Sequence, residues 1–164
     1  MKFGVLRNLN KFERIFIVAF TGSIVAGIIN GMVDTSYFQC CEDAIGIPEE
    51  GTSVLKIFTS NFMLSLTELF TMGISSLYYN FHTFSVTTSY LSSQGALYML
   101  LISLLIRSFE LVGSLCMALT GFGFVEKKLF KIKSKIDYKT LFFYGVSLIF
   151  IGAAIEYLLL KPLI

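Results

Sequence analysis

The most constraining feature of this 164-residue chain is a run from Ile15 to Val33, 19 residues long and free of formal charge. At a rise of about 1.5 Å per residue it nearly crosses a hydrocarbon core of roughly 30 Å. A secretory signal peptide has a shorter apolar core and a small-residue cleavage site, so the run reads as a retained span. Composition agrees: 55% of residues are hydrophobic, 15% are charged, and the mean hydropathy is +0.75. An ordinary soluble domain carries roughly a quarter charged residues. A soluble fold of this length buries only about 70% of its unfolded surface, too little to hide so much apolar area. With only three cysteines and 17 phenylalanines, a disulfide-stapled scaffold, a coiled coil and a disordered chain are excluded as well. The expected fold is all-α, one polytopic membrane domain over residues 1–164.

Charge placement sets the expected topology. Lys2, Arg7, Lys11 and Arg14 precede the first run, against a single acid, Glu13. The stretch 34–55 holds Asp34, Glu42, Asp43, Glu49 and Glu50 with no basic residue before Lys56. Six lysines from Lys127 to Lys139 crowd the stretch 126–139. Basic residues beside spans favour the cytoplasmic side. The acidic loop 34–55 therefore lies outside and the basic loop 126–139 inside. Spans near 15–33, 57–79, 83–100, 101–125 and 141–160 satisfy this with five crossings, the N-terminus inside and the C-terminus outside. Arg107 and Glu110 interrupt a run of about 30 residues, long for one tilted helix, so a break or re-entrant bend is expected near them.

The patterns of common catalysts are missing. No His-x-x-x-His or Cys-x-x-Cys pair offers metal ligands, no glycine-rich phosphate loop precedes a Lys-Ser or Lys-Thr, and no Gly-x-Ser-x-Gly elbow is present. No catalytic residue, metal or cofactor is expected. The single histidine, His82, reads as a polar helix-end residue. The lysine-rich loop reads as a topology signal, with contact to anionic lipid as the alternative. Nucleic-acid binding is excluded, because the aromatic residues lie in the spans. Cys40 and Cys41 read as free thiols, since adjacent cysteines meet disulfide geometry poorly. Cys116 reads as a small packing residue.

The strongest pointer is a set of ionisable residues in apolar surroundings: Glu68, Arg107 and Glu110, with Glu156 near the outer end of the last span. A charge at the bilayer centre costs roughly 2.5–3.5 kcal/mol on insertion scales, so such groups pair or face a cavity. Arg107 and Glu110, three apart, share a helical face, and Glu68 can reach Arg107 if their depths match. The cluster is expected to organise helix packing or a partner contact, with a proton or substrate path as the alternative. Gly27 and Gly31 form a small-x-x-x-small pair that admits a close helix neighbour.

The segment from Ser60 to Gly123 resembles the stage II sporulation protein M family of small multi-span membrane proteins. The resemblance rests on Asn61 opening the second span, Gly73 within it and Asn80 ending it. Glu110 then stands at the glutamate of a His-Gly-x-x-Glu motif, followed by Gly113, Gly121 and Gly123. Ile106 and Arg107 replace the motif's histidine and glycine, and Phe81 replaces the glycine after Asn80, as in a divergent branch.

That resemblance implies accessory membrane work. Relatives anchor cell-wall hydrolases during sporulation, and shorter ones accompany circular-bacteriocin genes. The expected function is a non-catalytic membrane subunit for bacteriocin or peptide maturation, export or immunity. The alternatives are a small transporter or immunity protein working through the Glu/Arg cluster, and an anchor for cell-wall hydrolases as in sporulation. Expected partners are the lipid bilayer and other membrane-protein subunits, with a separate ATPase, a peptide cargo or a second copy of the chain as further candidates. The expected location is the cell membrane, multi-pass.

Overall fold

A computed structural model describes residues 9–39, 53–71, 73–128, 131 and 136–160. Within them lie five helices: α1 (Lys11–Val33), α2 (Val54–Phe70), α3 (Ile74–Ser93), α4 (Met99–Lys128) and α5 (Tyr138–Leu160). Among the described residues there is no strand.

Helix ends follow local chemistry. Asn10 and Glu13 form a reciprocal cap at the start of α1: Asn10 Oδ1 accepts from the Glu13 amide at 2.9 Å, and Glu13 Oε2 accepts from the Asn10 amide at 2.6 Å. Ser53 caps α2 by accepting from the Lys56 amide at 3.2 Å. Asp137 caps α5, accepting from the Lys139 amide at 3.1 Å and the Thr140 hydroxyl at 2.6 Å. α2 stops where Gly73, at a φ of 77°, turns its amide back onto the Glu68 carbonyl. A side chain there would strike the Phe16 ring and approach Ala118, so this position needs glycine for both its backbone and its neighbours. α3 ends in a Schellman turn: Gly95 has a φ of 66°, its amide bonds Ser92 and the Ala96 amide bonds Leu91.

Contacts between helices fix their directions. Gly27 and Gly31 of α1 lie against Phe81 and Ser85 of α3 in ascending order, so these two helices run parallel. Asn61, Glu68 and Leu69 of α2 meet Glu110, Ser114 and Gly121 of α4, again in ascending order. Gly113 and Gly123 of α4 meet Gly145 and Tyr138 of α5 in descending order. Asn10 at the start of α1 bonds Glu126 of α4, and Phe16 stacks on Phe122 with centroids 5.6 Å apart, a descending order that sets α1 antiparallel to α4. The five helices thus alternate up and down in chain order. Phe16, Phe20, Ala118 and Leu119 form an apolar core between α1 and α4.

The bundle buries polar side chains beside apolar ones and is apolar on its outside. α3 buries Ser76, Asn80, Ser85, Thr88 and Ser89, whereas α1 exposes Phe12, Ile15, Val18, Val25 and Ile29. Three helical stretches, Lys11–Val33, Arg107–Lys128 and Tyr138–Leu159, are long and apolar enough to cross a membrane. With lipid outside, helices gain little from apolar burial and associate through close packing and polar contacts. Gly27 and Gly31 sit where α3 comes closest. A Cβ on Gly27 would lie 2.5 Å from the Phe81 carbonyl oxygen, and one on Gly31 would strike the Ser85 carbonyl.

The first and last helices match the spans expected from sequence, and the middle does not. The helix expected over 57–79 is divided at Thr71–Gly73, and Asn80 lies inside α3 rather than ending a span. The boundary expected between 100 and 101 falls at Gln94–Tyr98, where Gly95 supplies the turn. No break occurs at Arg107 and Glu110; α4 is continuous. A charged side chain leaves the backbone ladder intact, and kinks need proline, glycine pairs or an inserted group. His82 lies within α3, 3.2 Å from the Tyr37 hydroxyl through Nδ1, and not at a helix end. Most of the acidic stretch 34–55 and much of the basic stretch 126–139 lie outside the described residues, as do Lys2, Arg7, Cys40 and Cys41. Cys116 is half-buried in α4.

Candidate functional site

Polar residues of three helices converge on one cavity of about 110 Å³ between α2, α3 and α4. α2 contributes Asn61 and Glu68, α3 contributes Asn80, and α4 contributes Arg107, Glu110 and Ser114. The meeting follows from helix period: Asn61, Ser65 and Glu68 fall at spacings of four and three on one face of α2. Arg107, Glu110 and Ser114 repeat that pattern on α4, and the two parallel helices bring like depths together. Phe84 and Ile149 supply apolar wall and are themselves almost fully buried.

Each carboxylate has a named partner. Glu68, 2% exposed, accepts through Oε2 from the Ser114 hydroxyl at 2.6 Å. The reach to Arg107 expected from sequence is therefore replaced by a serine tie, although both residues line the same cavity. Glu110 accepts through Oε1 from the Asn61 amide at 2.5 Å. It also faces the Arg107 guanidinium, one turn back on its own helix, and the Glu156 carboxyl of α5. Gly152 of α5 leaves the space its side chain occupies, since a Cβ there would strike Glu110 Cγ.

Asn80 differs from its neighbours. It is 7% exposed, and its Nδ2 has no hydrogen-bond partner. An unpaired buried amide donor costs about 1–3 kcal/mol, so such a group normally meets water or a ligand.

Gly113, Gly121 and Gly123 do not line the cavity; they sit at helix contacts. A side chain at Gly113 would meet Ile149 and the Gly145 carbonyl, one at Gly121 the Leu69 backbone, and one at Gly123 the Tyr138 ring.

A second polar knot lies at the end of the bundle where α1 starts, α4 stops and α5 starts. Asn10 Nδ2 donates to Glu126 Oε2 at 2.9 Å, and the Tyr138 hydroxyl donates to Glu13 Oε1 at 2.8 Å. Both glutamates are buried. Sequence reasoning missed this knot. The one available signal was the Asn-x-x-Glu spacing at 10–13, a helix-start pattern. It likewise missed Ser114 as the partner of Glu68, since serine in a membrane helix is commonplace.

Among the described residues, no group of three His, Cys, Asp or Glu side chains could hold a metal ion. A larger recess of about 510 Å³ runs along Leu9–Val18, and among the described residues it is lined by Leu9, Lys11, Arg14, Ile15 and Val18 alone. Comparison with protein-family models, with curated proteins and with solved structures finds no match.

Proposed function

We propose that this chain is a five-pass integral membrane protein of a bacterial-type cell membrane, N-terminus inside and C-terminus outside. In this reading it is a non-catalytic subunit of an envelope complex serving bacteriocin or peptide maturation, export or immunity. The observation that carries the subunit reading is the use of the buried polar groups: Asn61–Glu110 and Ser114–Glu68 tie α2 to α4. These side chains hold helices together. The apolar exterior of α1, α4 and α5 supplies surface for lipid and for neighbouring subunits. The peptide pathway rests on the resemblance to short members of the stage II sporulation protein M family.

The test is a gentle-detergent pull-down of the tagged chain from its native host, with mass spectrometry of what accompanies it. Stoichiometric recovery of an ATPase, another membrane protein or a cell-wall hydrolase supports the subunit reading and names the pathway. A homo-oligomer alone overturns it.

The second reading, a small transporter or immunity protein acting through the cluster, is favoured by the cavity and the unpartnered Asn80 amide. A charge exchange separates the two. Under the subunit reading, Arg107→Glu with Glu110→Arg restores assembly that either single change loses. Under the transport reading, the exchanged protein assembles and still moves no solute.

A further inference from the structure

The cavity between α2, α3 and α4 combines three properties that together describe a ligand. The first is size. A dry cavity of about 150 Å³ accepts benzene, with six non-hydrogen atoms. A volume of about 110 Å³ therefore suits a molecule of four or five. The second is an unanswered donor, Asn80 Nδ2, on a residue more than nine-tenths buried. It calls for an acceptor, and because Arg107 also lines the cavity, a carboxylate can answer both donors. The third is the acidic side. Glu68, Glu110 and Arg107 all line the cavity, so its lining carries more carboxylates than cations. Glu110 is already engaged by Asn61 and stands beside Glu156. Glu68 has a hydroxyl donor on one oxygen, from Ser114, and is the carboxylate placed to take an ammonium group.

We propose that this cavity binds the ammonium–carboxylate unit of the smallest amino acid, glycine, with the carboxylate on Asn80 Nδ2 and Arg107 and the ammonium on Glu68. The ligand is a net-neutral zwitterion, so its entry leaves the charge of the buried cluster unchanged, which limits the cost of placing it at that depth. Phe84, Leu111 and Ile149 close the apolar side and leave no room for a branched chain as large as that of leucine. The inference extends the second functional reading; only movement of the ligand rests on that reading, and binding is independent of it.

The experiment is a titration of the purified full chain in lipid nanodiscs with radiolabelled glycine, competed by alanine, leucine, acetate and methylammonium. Saturable binding below about 10 mM is expected, with leucine not competing, alanine competing less well than unlabelled glycine, and acetate and methylammonium each at least about tenfold weaker. Asn80→Ala and Glu68→Gln should each weaken glycine about tenfold, while Asn10→Ala, at the far polar knot, retains wild-type affinity. If Asn80→Ala fails to fold, Glu68→Gln and the competitors decide the matter alone. Absence of saturable binding to folded wild-type protein overturns the proposal and leaves a cavity that holds only water. Acetate binding as tightly as glycine, with no loss in Glu68→Gln, overturns the zwitterion assignment. Binding without uptake in proteoliposomes sinks the transport reading and leaves the site standing.

Discussion

Ser114 of α4 donates its hydroxyl hydrogen to Glu68 Oε2 of α2 at 2.6 Å, deep in a bundle whose outside is apolar. Among the described residues, no other α4 side chain hydrogen-bonds Glu68. Cross-helix hydrogen bonds in membranes are typically worth about 0.6 kcal/mol and reach about 1.7. Ser114→Ala is expected to destabilise the protein by about 1 kcal/mol. The double change with Glu68→Ala should cost less than the sum of the single ones. Reversible unfolding in mixed micelles measures both, and additive losses would remove the tie from the account.

Close helix approach gives a second expectation. A methyl group on Gly31 would strike the Ser85 carbonyl, whereas one on Gly22 meets nothing within 4 Å. Gly31→Ala should therefore cost about 1–3 kcal/mol as α1 is pushed from α3. Gly22→Ala should be neutral or stabilising by up to about 1 kcal/mol, because alanine is the better helix former. The same unfolding assay separates them, and equal effects would mean that α1 and α3 do not cross at these glycines.

The polar knot at the α1–α4–α5 end predicts unequal caps. Asn10 both caps α1 and donates to Glu126, whereas Ser53 caps α2 alone. Asn10→Ala is expected to cost about 1–2 kcal/mol, and Ser53→Ala about half that. Reversal of this order would show that the Asn10–Glu126 bond contributes nothing.

Asp137 carries a pH expectation outside the spans. The Thr140 hydroxyl foremost, then the backbone amides of Thr140 and Lys139 and the Lys139 charge, hold its carboxyl below the ordinary value of 3.8. A lowered folded-state value means that this stabilisation is complete above the unfolded value. It is lost as pH falls through the folded one. Asp137→Asn should flatten the acid-side decline of melting temperature below about pH 4 and leave the behaviour at neutral pH nearly unchanged. An identical acid limb in the variant would contradict the assignment.

The parts of the fold legible in the sequence are those where hydropathy and position agree. The charge-free run at 15–33 and the one at 141–160 become α1 and α5 because lipid-facing helices are apolar nearly all round. α3 escaped that logic. Ser76, Ser85, Thr88 and Ser89 lower its hydropathy, yet all are buried against neighbours, so the polar residues mark an interior helix. The glycines were the better guides there: Gly73 and Gly95, both at positive φ, place the breaks that Asn80 and the charges of α4 suggested elsewhere. At the site, the cost of burying charge made Glu68, Arg107 and Glu110 stand out, and all three line the cavity. Their pairings did not stand out. Ser114 is not singled out by the sequence, and Glu156 is marked without its approach to Glu110; both pairings depend on helix register across 46 residues of chain, which no local pattern encodes.

The direct test of the five-pass account is cysteine accessibility at three positions, Gln94, Ile74 and Lys131, each introduced singly into a chain whose Cys40, Cys41 and Cys116 are replaced. A membrane-impermeant maleimide is applied to intact cells and to inverted vesicles. The account predicts labelling of Gln94→Cys from outside only, and of Ile74→Cys and Lys131→Cys from the cytoplasmic side only. Labelling of Ile74→Cys from outside, or from neither side while Lys131→Cys reacts from within, would reduce α2 and α3 to a re-entrant hairpin and contradict five crossings.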